Sequence, residues 1–172
     1  MQRHPTPTPT TPATRAVWAL LCSALLGVAA PAKAQGVAWV SSEKDNALTL
    51  VDLKTGAVTG TVATCKRPRH LQRTPDGKQL LVACGDSHQA DIIDLATRKS
   101  VGKLALGDDP EAFDISPDGK TLYASNEDEG ALSIIDIASG KLSKTVPVGK
   151  EPEGVKVSHD GKTVWEIGRA HV

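Results

Sequence analysis

The stretch Pro110–Gly149, PEAFDISPDGKTLYASNEDEGALSIIDIASGKLSKTVPVG, decides the fold. PEAFDIS reads as a short strand that runs into Pro117-Asp118-Gly119-Lys120. Asp-Gly after a proline is a hairpin turn, because glycine reaches positive φ at no steric cost. TLYASN is a second strand, and the polar connector Glu127-Asp128-Glu129-Gly130 follows it. ALSIIDI, rich in β-branched residues, is a third strand. Ala138-Ser139-Gly140 turns the chain into KLSKTVPV, the fourth. Four antiparallel strands in about forty residues form one supersecondary unit.

The unit recurs. Asp52, Asp94 and Asp136 lie 42 residues apart, as do Pro68, Pro110 and Pro152. The Asp-Gly-Lys triplets at Asp76, Asp118 and Asp160 keep the same spacing. No insertion or deletion disturbs the period from Val37 to Trp165. A period of about 40–45 residues with four strands per unit predicts an all-β fold, a β-propeller of four-stranded blades. The pairs Leu50-Val51, Ile92-Ile93 and Ile134-Ile135 make the middle strands apolar on both faces, as a sheet packed between two other sheets requires. A parallel β-helix has shorter rungs. A helical or leucine-rich solenoid needs a helix in each repeat, and no 3.6-residue apolar stripe appears after Ala34.

Outside the repeat, residues 1–34 read as a signal peptide. Arg3 and Arg15 precede the apolar run Ala16–Ala30, and Ala32-Lys33-Ala34 supplies small residues for cleavage after Ala34. The run falls short of the about 20 apolar residues that span a bilayer. The expectation is a periplasmic or secreted protein with no membrane segment after cleavage. The blades fall at about 37–65, 66–107, 108–149 and 150–165. The first lacks its opening strand, since VAWVSSE aligns with TLYASNE. Residues 166–172, EIGRAHV, match nothing in the repeat and read as a non-native tail. The sequence is therefore expected to be the front of a longer propeller.

Composition narrows the function. Lys plus Arg and Asp plus Glu are 20 each, and aromatic residues are only 3%. A neutral chain poor in stacking rings is not a nucleic-acid module.

The repeat resembles the YVTN-type β-propeller repeat, through TLYASNE, LSIIDIASGKLSKTVPVG and SPDGK. Lys66–Arg69 (KRPR), Cys84–Ser87 (CGDS), Gly107–Phe113 (GDDPEAF) and SNEDE resemble a narrower group. These are the periplasmic propellers associated with pyrroloquinoline quinone (PQQ)-dependent alcohol catabolism. The resemblance implies an accessory role beside a quinoprotein dehydrogenase, with no catalytic residues to carry over and no cofactor of its own. A propeller fold by itself says little about activity.

The repeated Asp52, Asp94 and Asp136 each precede a tight turn whose backbone N–H groups a carboxylate can accept. A group present in every unit has a structural task. Arg98 stands where Gly56 and Gly140 sit, and costs about 1 kcal/mol if that turn needs positive φ. The residues that differ between units carry more information. The crossings into each unit and the connectors after each second strand should share one rim. There Arg67, Arg69, His70, Asp86 and His88 belong to the second unit, Glu111 to the third and Glu153 to the fourth. One reading is a ligand face on which arginine takes a small anion or carboxylate. The other is that rim charges pair with one another. His70, His88 and Asp86 have neither the number nor the spacing of a metal site.

Cys65 replaces Gly107 and Gly149, and Cys84 replaces Asn126. Both lie near the same rim, and spacing alone leaves open whether they bridge. Neither has a C-x-x-C or C-x-x-C-H context. The functional expectation is a non-catalytic binding or accessory propeller whose partner is a quinoprotein dehydrogenase or a small-molecule ligand. The alternatives are a lactonase-like hydrolase of the propeller class and a haem-binding redox propeller.

Overall fold

A computed structural model describes residues 36–169. The expected signal peptide and its expected cleavage site lie outside the described residues, as do residues 170–172. The described chain is all β, with two single-turn 3-10 segments and no α-helix. No helix among the described residues is long and apolar enough to cross a membrane.

Thirteen strands form four antiparallel sheets in chain order. The first holds β1 (Val37–Ser42), β2 (Ala47–Asp52) and β3 (Val58–Ala63). The second holds β4 (Pro68–Arg73), β5 (Gln79–Cys84), β6 (Gln89–Asp94) and β7 (Lys99–Ala105). The third holds β8 (Pro110–Ile115), β9 (Thr121–Asn126), β10 (Ala131–Asp136) and β11 (Lys141–Pro147). β12 (Pro152–Val157) and β13 (Val164–Gly168) form the fourth. β13 pairs with β12 from Val164 through Gly168, so the ladder continues past Trp165. Each sheet is open, and no strand pairs from one sheet to the next among the described residues.

The repeat is visible in the backbone. Register shifts fall at Leu50/Val51, Ile92/Ile93 and Ile134/Ile135, one per unit at the same position. Such bulges sharpen the twist of the outer strand pair. Each Asp-Gly turn puts its glycine at φ near 70°: 72° at Gly77, 73° at Gly119 and 70° at Gly161. The turn aspartate accepts the hydroxyl two residues before it, from Thr74, Ser116 or Ser158, at 2.6 Å. The other turns behave alike. Asp52 accepts the Thr55 N–H at 2.7 Å, Asp94 the Thr97 N–H at 2.7 Å and Asp136 the Ser139 N–H at 2.8 Å. These bonds hold all six aspartates below their ordinary pKa. Arg98 takes φ 58° where Gly56 and Gly140 take 72° and 66°, so the turn imposes a left-handed backbone on arginine.

The second sheet is packed on both faces. Leu80, Val82, Cys84 and Ile93 join Leu48, Leu50 and Val62 of the first sheet in one core. Leu81, Ala83, Ala90 and Leu104 join Phe113, Ile115 and Leu122 of the third sheet in another. Alternation along a strand sends neighbouring side chains to opposite faces. A sheet covered on both sides therefore needs the apolar doublets the sequence supplies.

Candidate functional site

The crossings and connectors meet on one rim. Gly85 donates its N–H to the Arg67 carbonyl at 3.0 Å, and Glu127 donates to the Asp109 carbonyl at 3.1 Å. Connector side chains also hold the crossings. Asn46 Oδ1 accepts the Arg67 N–H at 2.9 Å, and His88 Nδ1 accepts the Asp109 N–H at 3.3 Å. These bonds fix an uncommon backbone. Arg67, Asp109 and Glu151 have φ of 56°, 48° and 48°, each immediately before a proline.

On this rim the charges of the second unit meet those of the third. Arg67 Nη1 donates to Asp109 Oδ1 at 2.9 Å and Oδ2 at 3.1 Å, and lies 3.5 Å from Asp86. Its other nitrogens lie 3.8 Å from Glu111 and 3.9 Å from Glu43. Arg69 pairs directly with Glu111 and stands 3.8 Å from Glu43. The two closest pairs, Arg67 with Asp109 and Arg69 with Glu111, are each separated by 42 residues. Equivalent positions of successive units thus become counter-ions across the seam between their sheets.

Glu111 is enclosed, with its side chain only 7% exposed. Burial pushes its pKa up to about 7, and the neighbouring carboxylates of Glu127 and Asp109 push the same way, against the pull of Arg69. Asp109, Glu111 and Glu127 bring carboxylate oxygens within 4.8 Å of one another. Two arginines already serve two of these acids, so the trio belongs to an ion-pair network and not to a metal centre.

The remaining candidates have separate tasks. Asp86 is the outer partner of Arg67. His88 holds the Asp109 N–H and faces Asp108 at 3.5 Å. His70 turns away from the cluster and packs edge-on against Phe113, with ring centroids 4.8 Å apart; burial lowers its pKa. Glu153 pairs with Arg169, which follows β13.

A second tier lies on the first strands of the sheets. Gln72, Asp114 and Lys156 occupy one register position in three successive units. Gln72 Nε2 donates to Asp114 Oδ1 at 2.7 Å and Lys156 Nζ to Asp114 Oδ2 at 2.9 Å. Backbone N–H groups of Ile115 and Val157 add 2.9 and 2.8 Å bonds. These donors hold Asp114 ionised despite burial, which by itself would raise its pKa. Sequence reasoning passed over Asp109, Glu127, Glu43 and this tier as site residues. The signal was present in the 42-residue offset, which places Asp109 opposite Arg67 and Asp114 between Gln72 and Lys156.

Cys65 and Cys84 form a disulfide with Cα atoms 5.8 Å apart. It ties the second crossing to the end of β5. The third unit makes the same tie without sulfur. Asn126 Nδ2 donates to the Leu106 carbonyl at 3.0 Å and to Ser133 Oγ at 2.7 Å, and its amide fills the space where a Cβ on Gly107 would be.

Two surface clefts flank these features. One, of about 540 Å³, is lined by Glu127–Gly130, Pro147 and Gly149–Glu151 on the charged rim. The other, of about 480 Å³, lies among Trp39, Leu71, Leu80 and Leu95, with Arg73 and Arg98 at its edge, and holds none of the charged cluster.

No family model matches the chain, and no curated protein matches it. Among solved structures, hydrazine synthase of Kuenenia stuttgartiensis is similar, at 30% sequence identity and a TM-score of 0.67. The match covers 74% of this chain and 37% of that one, so the chain spans well under half of that structure. The likeness supports an all-β class of antiparallel sheets.

Proposed function

We propose that the sheets are blades of a β-propeller of the YVTN type and that the protein is a non-catalytic, exported binding module acting beside a PQQ-dependent dehydrogenase. One observation carries the reading. Arg67 and Arg69, the groups best suited to take a small anion, are already engaged by four carboxylates, Glu43, Asp86, Asp109 and Glu111. The rim uses its basic groups to join sheets and presents an excess of acid outward. Such a surface suits a macromolecular partner with a basic patch better than a small anion, and steers its approach through charge. The accessory role and the identity of the partner come from the resemblance of KRPR, CGDS, GDDPEAF and SNEDE.

Biolayer interferometry of the full chain against a purified PQQ-dependent alcohol dehydrogenase tests the reading. Saturable binding that weakens with salt is expected, and weakens further when Asp128 and Glu129 become Asn and Gln. No binding at partner concentrations of tens of micromolar, together with turnover of a lactone substrate, would replace it with the hydrolase alternative.

A further inference from the structure

The cleft of about 480 Å³ at the seam between the first two sheets is built from residues that break the repeat. At the seam between the second and third sheets the equivalent positions are solid core. Phe113, Ile115 and Leu122 are buried there, with Ile137 packed against them. One repeat earlier those positions hold Leu71, Arg73, Leu80 and Leu95. A smaller side chain in place of Phe113 and a charged one in place of Ile115 open a hollow where the next seam is filled. Its apolar wall is Trp39, Leu71 and Leu95, each partly buried, over fully packed Leu80. The hollow lies at the strand ends remote from the charged rim, because β4 starts at the rim crossing and ends at Arg73.

Two arginines open onto this hollow, and no acid lines it. Arg73 is braced: its Nε and Nη2 donate to the Gly77 carbonyl at 2.9 and 2.6 Å, which leaves Nη1 unused. Asp76 is the carboxylate whose charge reaches Arg73, and it is already held by the Thr74 hydroxyl and the Lys78 N–H. The Arg98 side chain has no hydrogen bond or ion pair among the described residues. It also keeps its place against the backbone. Its φ is 58° where Gly56 and Gly140 serve the same turn, a left-handed conformation that disfavours any side chain. Strain held at one unit alone points to a task that glycine cannot perform.

We propose that this cleft binds an organic carboxylate with an apolar tail, the tail lying along Trp39, Leu71 and Leu95 and the carboxylate taken by Arg73 and Arg98. Guanidinium groups match a carboxylate with paired N–H donors. A neutral ligand leaves both cations without a counter-ion, and an ammonium is repelled. The Gly77 brace fixes Arg73 before the ligand arrives, so less freedom is lost on binding. The volume falls within the about 300–1,000 Å³ of small-molecule sites. Occupancy of this cleft is independent of any partner on the acidic rim.

NMR titration of the full chain with octanoate is the test, with octanol as the tail without the charge and acetate as the charge without the tail. Octanoate is expected to move the Trp39 indole and the Leu71 and Leu95 methyl signals along one saturable curve. It should bind at least about tenfold more tightly than either control. Arg98→Gly relieves the strained turn, so the fold gains while the Kd for octanoate rises on the order of tenfold. Arg73→Ile, which installs the third unit's core residue, should weaken binding by a similar factor. Equal affinity for octanol and octanoate overturns the proposal, as does an unchanged Kd in Arg98→Gly. So do shifts confined to the rim, no shift at about 10 millimolar octanoate, or contacts of another segment of the chain with Trp39 in the free protein. The wild-type comparison decides even if Arg73→Ile fails to fold.

Discussion

Arg69 and Glu111 are 42 residues apart in the chain, and their side chains meet across the seam between the second and third sheets. The offset equals the repeat, so the same position in two successive units supplies both halves of the contact. Arg67 with Asp109 and Gln72 with Asp114 obey the same rule. Repeat architectures draw much of their stability from interfaces between neighbouring units. Here polar pairs sit at the rim and on the first strands, while apolar side chains fill the space between.

Asp114 is the polar centre of that interface. It accepts bonds from Gln72, Lys156, Ile115 and Val157, which belong to three sheets. Replacement by alanine leaves these donors without their acceptor. Urea unfolding of Asp114→Ala should show a loss of about 2–4 kcal/mol. Asp114→Asn keeps the shape but turns an amide N–H toward donors, and should lose about 1–3 kcal/mol.

The disulfide and the Asn126 clasp are two solutions to one task. Serine at both Cys65 and Cys84 should cost about 3 kcal/mol, because the bridge closes a short loop in the unfolded chain. A Cys65→Gly, Cys84→Asn double variant imports the third unit's solution, with Asp91 placed where Ser133 receives the amide. It should melt above the serine variant and below the wild type. Melting at or below the serine variant would show that the two ties are not equivalent.

Arg98 carries a left-handed backbone, φ 58°, that its counterparts leave to glycine. Arg98→Gly should stabilise the protein by about 0.5–1 kcal/mol, net of the extra freedom glycine has when unfolded. Thermal unfolding measures it directly.

Stability should depend on pH from both sides. The turn aspartates sit below their ordinary 3.8, so their contribution is present above that value and is lost as pH falls through their folded values. Glu111 is the reverse case. Raised from 4.5 to about 7, it contributes stability that is complete below 4.5 and is lost as pH rises through about 7. Urea midpoints should decline between about pH 5 and pH 8, and Glu111→Gln should flatten that decline. A level wild-type profile would show that Glu111 is ionised throughout.

Much of the fold was legible in the sequence. TLYASN, read as a strand, is β9 residue for residue, and Asp-Gly-Lys marks each tight turn. Local chemistry sets these features, and the period shows them three times over. The rim was legible by residue type but not by partnership. Nothing local tells Arg67 to choose Asp109 over Asp86, which is nearer in the chain. The choice follows from the spacing of neighbouring sheets and from the left-handed turns that aim both residues at the seam. His70 follows Arg69 in the chain, but strand alternation sends it to the other face, toward Phe113. The bridge between Cys65 and Cys84 needed the register of the β4–β5 ladder, in which Pro68 lies opposite Cys84 and brings the crossing to the end of β5.

The central claim is that rim charges of successive units are counter-ions that join their sheets. A double-mutant cycle on Arg69 and Glu111, using Arg69→Met and Glu111→Gln with unfolding followed in urea, tests it most directly. The account predicts a coupling energy of about 1–3 kcal/mol, larger at pH 8 than at pH 5 because Glu111 is then ionised. Additivity within about 0.3 kcal/mol at both pH values would contradict it, and would return Arg69 to the pool of groups free to bind a ligand.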